Sequence, residues 1–109
     1  MATTYKVLGQ SAPAAVTAAD LYSVPSATEA IVSTITVANR AATAGTYRIY
    51  IRKAAAVTAN QQYVVYDASL PANATDTLTL GITLAATDVI SVYASTANFS
   101  FNAFGSEIA

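Results

Sequence analysis

The chain has 109 residues, of which 54% are hydrophobic and 10% charged, with a formal net charge of −1. That length suits one domain with its own core, and Lys6, Arg40, Arg48, Arg52 and Lys53 are too few and too scattered to neutralise a run of phosphates, which argues against nucleic-acid binding. With no cysteine and no histidine, the chain cannot build a disulfide framework, a thiol nucleophile, a Ser-His-Asp triad or an ordinary zinc site.

In chain order, residues 5–8 and 21–24 are short strand candidates, with the stretch 14–21 read as loop. Residues 29–38 form the strongest strand signal: Ile31, Ser33, Ile35 and Val37 alternate with Val32, Thr34, Thr36 and Ala38, and β-branched residues dominate both sets. After a turn-rich segment at 39–45, Tyr47, Ile49 and Ile51 alternate with Arg48, Tyr50 and Arg52, which predicts one buried and one exposed face. Residues 62–67 set Tyr63 and Val65 against Val64 and Tyr66. In 77–84 the residues Leu78, Leu80, Ile82 and Leu84 keep period two, so one strand is predicted there rather than a helix. Residues 89–94 resume as a strand, and Phe99, Phe101 and Ala103 share one face of the last strand.

Seven or eight short strands with short connections predict an all-β fold, a single antiparallel β-sandwich of Ig-like or jelly-roll type. No composition shift marks a boundary, so residues 1–109 are read as one domain. Residues 1–13 form an N-terminal arm that either pairs within its own sheet or adds as a strand to a neighbouring subunit. Polar residues interrupt every apolar run, so no membrane span is expected, and the first residues lack the pattern of a signal peptide, which implies use without secretory export.

The charged fraction is less than half the usual share of about 25%. A surface so neutral fits a protein that works inside an assembly rather than one held apart by charge. The acids Asp20, Glu29, Asp67, Asp76, Asp88 and Glu107 mostly sit beside turns, where a carboxylate bonds nearby backbone. No spacing matches a calcium loop, so no catalytic, cofactor or metal site is expected.

The sharpest surface feature is the stripe Arg48, Tyr50 and Arg52 with Lys53 beside it, because Arg and Tyr combine flat contact area with directed hydrogen bonds at interfaces. Tyr5 and Tyr66 join these as candidate contact residues, and Tyr22 also remains available. Tyr47, Tyr63 and Tyr93 are assigned to the core.

The segments Tyr5-Lys6-Val7-Leu8-Gly9-Gln10, Leu21-Tyr22-Ser23-Val24-Pro25, the 31–40 strand, Asp88-Val89-Ile90-Ser91-Val92-Tyr93-Ala94 and the ending from Phe99 to Ile108 form a distinctive set. Together they resemble small virion structural proteins of tailed phages, particularly those of cyanobacteria and other aquatic bacteria. The resemblance implies a non-enzymatic virion component without cofactors. Its most specific form is a homotrimeric capsid decoration or cement protein on the capsid exterior, bound to the major capsid protein. The alternatives are a tail, collar or fibre component binding another virion protein, and a receptor- or carbohydrate-binding module.

Overall fold

The structure is a computed structural model that describes residues 2–109. Nine strands form two antiparallel sheets packed face to face: β1 (Thr3–Ser11), β2 (Ala19–Ser23), β3 (Glu29–Asn39), β4 (Gly45–Arg52), β5 (Tyr63–Leu70), β6 (Thr75–Leu78), β7 (Ile82–Leu84), β8 (Val89–Ala94) and β9 (Phe99–Ile108). One sheet runs β1-β9-β3-β6, with β7 also on β3, and the other runs β2-β8-β4-β5. Pairing is nested: β1 with β9, β2 with β8, β3 with β6 and β7, β4 with β5. A long hairpin wound on itself gives this order, which is that of a jelly roll and not the immunoglobulin order.

The strand expected at 77–84 is two strands. Gly81 has a φ of +65°, which a glycine adopts at no steric cost and an extended strand does not use. The break lets β6 pair with Ile35–Ala38 and β7 with Ala30–Val32, so the two share one edge position on β3.

The uninterrupted alternation read across 29–38 is also broken. Ser33 is an extra residue between the pairs Val32/Gly105 and Thr34/Phe104. Ala30 and Val32 therefore face the core before the bulge and Ile35 and Val37 after it, while Ile31 points out. A second shift lies opposite, between Val7 and Gly9 of β1. Both bulges flank Phe104, and the Cα of the next residue, Gly105, comes so close to the Ile31 carbonyl that a Cβ would collide with it.

The core takes its bulk from Tyr47, Phe99, Phe101, Ile35, Ile49, Leu70, Ile90 and Val92. Tyr47 packs edge-on to Phe101 with ring centroids 6.0 Å apart, and its hydroxyl crosses the sandwich to donate to Asp76 on β6 at 2.8 Å. Tyr22 does the same at another point, donating from β2 to Glu107 on β9 at 2.5 Å. The buried amide of Asn39 donates to the carbonyls of Thr43, Leu70 and Pro71 and accepts from the Ala41 amide, which fixes two adjoining turns. Among the described residues, every buried side-chain nitrogen and oxygen has a partner.

β1 is a lightly held edge strand. It contributes one buried side chain, Leu8, and its backbone ladder runs to β9 alone. Residues 12–18, which carry it over to β2, include Val16 with a φ of +53°. A β-branched residue in that region is strained by about 1–3 kcal/mol.

The close approach at Gly105 yields a direct expectation. Gly105→Ala destabilises the fold by about 1–3 kcal/mol, because the collision is with backbone and the bulge must shift to relieve it. Urea unfolding of the two proteins measures it, and an unchanged midpoint would contradict the packing described at the bulge.

Candidate interaction surfaces

The outer face of the β2-β8-β4-β5 sheet carries the Arg48, Tyr50 and Arg52 stripe, all three on one side of β4 as the alternation predicts. The stripe is not vacant. The Arg48 guanidinium lies between the rings of Tyr66 and Tyr93, 4.3 and 4.4 Å from their centroids. It also donates to Asp67 through Nε at 2.6 Å and Nη2 at 3.2 Å. The geometry comes from a bulge in β5. Tyr47 pairs with Ala68 and Ile49 with Val65, so Tyr66 and Asp67 together stand opposite Arg48, and Asp67 has a φ of +51°. The bond from Arg48 is the main reason that the Asp67 carboxyl is held below its ordinary value and the Arg48 guanidinium above its own.

Arg52 is tied inward as well. It donates to Ser91 Oγ at 3.1 Å, to Asp20 at 3.1 Å and to the carbonyls of Ala55 and Ala56, while the Ser91 hydroxyl donates to Asp20 at 3.0 Å. These bonds hold the 53–62 connection to the sheet, helped by Asp88, which accepts from the Ala54 and Ala85 amides. Lys53 is exposed on this connection.

Four tyrosine assignments are corrected. Tyr50, expected as a contact residue, is 4% exposed and stacks on Tyr63 with centroids 5.1 Å apart. Tyr22, also held available, is buried. Conversely, Tyr63 and Tyr93 are half-buried on the outer face rather than in the core, and Tyr63 meets Tyr66 edge-on at 4.9 Å. The bulges in β5 move Tyr63 to the side that its neighbours' alternation denies it.

The outer face of the other sheet has a different character. Tyr5, Val7, Ile31 and Phe104 are 83%, 49%, 42% and 36% exposed. Strand register gathers them, because Tyr5 and Ile31 flank Ser106 from its two sides and Val7 is paired with Phe104. They form an apolar patch. Beyond it the face continues with short polar groups, Gln10 donating to Asn102 at 2.7 Å beside Thr34 and Thr36. A shallow open groove of about 310 Å³ lies along Gln10, Ser11, Ala12, Ser100, Phe101 and Asn102. Of the contact residues singled out from the sequence, only Tyr5 belongs to this patch. Val7, Ile31 and Phe104 were missed, Ile31 because the bulge at Ser33 turns it outward and Phe104 although it simply faces away from Phe101 and Ala103.

Beside the patch, Lys6 pairs with Glu107 at 2.7 Å. The bonds from Lys6 and then from Tyr22 hold the Glu107 carboxyl below its ordinary value, while burial and the same bond push the Tyr22 phenol up. Among the described residues no three acidic side chains are placed to share a metal ion. No family model, curated protein or solved structure matches the chain.

Glu107 and Asp67 both have depressed values in the fold, so the stability they add is complete above the ordinary carboxyl values of 4.5 and 3.8. It is lost as the pH falls through the depressed values. Thermal midpoints should therefore hold steady from pH 7 to 5 and fall below about pH 4. Glu107→Gln lowers the midpoint at pH 7 and flattens the acid limb. A variant as acid-sensitive as the wild type would remove Glu107 from this role.

Proposed function

We propose that the protein is a non-enzymatic virion subunit, a capsid decoration protein of a tailed phage that binds the assembled lattice of the major capsid protein. The observation that carries the binding part of this reading is the apolar patch of Tyr5, Val7, Ile31 and Phe104 on a face whose neighbouring groups are mostly Ser, Thr, Asn and Gln, with Glu29 and Arg40 at its ends. An apolar centre with a polar, hydrogen-bonding rim is the usual anatomy of a protein interface. Aromatic side chains at its centre supply contact area with little entropy loss on binding.

The virion part rests on the set of sequence segments that resemble phage structural proteins. The architecture is compatible with it, since jelly rolls recur in viral capsid proteins and in lectins, although a shared fold does not by itself carry a function. Three of the five cations are already ion-paired within the chain, so long-range electrostatic steering toward a partner is weak. A lattice compensates for modest single contacts. Many copies, trimeric as the resemblance implies, each bind only the assembled state, and their contributions add to the stability of that state by mass action.

The reading is tested by co-sedimentation with phage shells that lack the protein. Wild-type protein should pellet with the shells, and Tyr5→Ser with Val7→Ser should reduce the bound fraction at least tenfold at equal thermal stability. Val57→Ser, which alters an equally exposed apolar residue in the 53–62 connection, should bind like the wild type. Retained binding by the double variant excludes the patch, and binding to isolated tails in place of shells moves the assignment to a tail component.

A further inference from the structure

We propose that β1 is an exchangeable strand, and that Thr3–Ser11 of one copy pairs with β9 of a second copy of this chain. The inference stands on the geometry of β1 and does not depend on the identity of the larger partner.

In the nested pairing the β4–β5 pair is closed by a local connection, whereas the β1–β9 pair joins the two ends of the chain. The bond from Gln10 to Asn102 spans 92 positions. Contacts of such separation form late, after the more local pairs have closed their loops. Until β1 docks, β9 presents a free backbone edge ten residues long, and an unpaired edge recruits any strand of matching pattern. The best match is β1 itself, from whichever copy is nearer.

Little distinguishes the two outcomes in contacts. The ladder to β9, the insertion of Leu8 into the core and the ion pair between Lys6 and Glu107 are the same whether β1 comes from its own chain or another. What differs is the connection at 12–18, which must fold back only in the closed form. There Val16 takes a φ of +53°, a conformation that a β-branched residue strongly disfavours, with its side chain exposed and only its amide held, by the Ala94 carbonyl at 2.9 Å. Pro13 stiffens the same segment. A strained hinge that relaxes on extension is the feature that favours exchange. The exchange also makes the apolar patch a composite, because Tyr5 and Val7 would then come from one copy and Ile31 and Phe104 from the other.

The chain has no cysteine, so a disulfide can be placed at will. Gln10→Cys and Asn102→Cys are prepared as separate proteins, mixed, unfolded in urea, refolded together and oxidised. Exchange predicts a covalent two-chain species in the mixture at least tenfold above that from either variant alone, seen on a non-reducing gel. The Q10C/N102C double variant should likewise give covalent multimers. If the mixture gives no more than the single variants and the double variant closes only as a disulfide-bonded monomer, β1 stays with its own chain and the proposal fails. Val16→Gly, which removes the hinge strain, should lower the mixed yield at least threefold, and an unchanged yield overturns the role given to the hinge.

Discussion

The structure depends on how its two sheets are locked together, and that lock is made by tyrosine hydroxyls. In a jelly roll of this size the inner faces of the two sheets meet mostly through apolar contacts, which are not directional and leave the sheets freer to shift. Tyr22 and Tyr47 remove that freedom. Each starts on the β2-β8-β4-β5 sheet, passes through the core and donates to a carboxylate of the opposite sheet, Glu107 or Asp76. The bonds are directional and partly shielded, and a hydrogen bond to a charged acceptor contributes about 1.5–3 kcal/mol. For both phenols burial raises the cost of ionisation and the carboxylate partner adds to it, so the hydroxyl stays protonated and stays a donor.

The carboxylates in turn decide what happens at the edges. Glu107 is shared between Tyr22 and Lys6, so the tie between sheets and the tie of β1 to its neighbour pass through one side chain. Asp67 is drawn toward Arg48 by a bulge that also brings Tyr66 over the guanidinium. In a chain with so few charges, three ion pairs are spent on holding elements together. The surface is left nearly neutral for that reason, and not merely because charged residues are rare.

Much of this was legible in the sequence. Period-two alternation located the strands, and Phe99, Phe101 and Ala103 share one face as read, the face that the core buries. The choice between immunoglobulin and jelly-roll order was not legible, because nested pairing is a relation between residues as far apart as Thr3 and Ile108 and leaves no local trace. The bulges were hidden for a related reason. Ser33 and Asp67 are ordinary strand or turn residues in isolation, and only their partners reveal that one of them is extra. Each bulge offsets the alternation on its two sides, which is why Ile31 emerges on the surface and Tyr63 leaves the core. Gly81 was the one break with a visible signal, a glycine inside an otherwise regular leucine pattern.

The two outer faces are consequently unlike each other, and the difference bears on how the molecule can be used. On the sheet that bears Arg48, the aromatic and cationic groups satisfy one another and the 53–62 connection is bonded down by Arg52 and Asp88. A partner binding there would have to displace those bonds and would recover only what it broke. On the sheet that bears Tyr5, the apolar side chains Tyr5, Val7, Ile31 and Phe104 stand in solvent, and the neighbouring polar groups are bonded mostly in pairs such as Gln10 with Asn102. One face is thus already satisfied within the chain, and the other leaves its apolar side chains open to solvent.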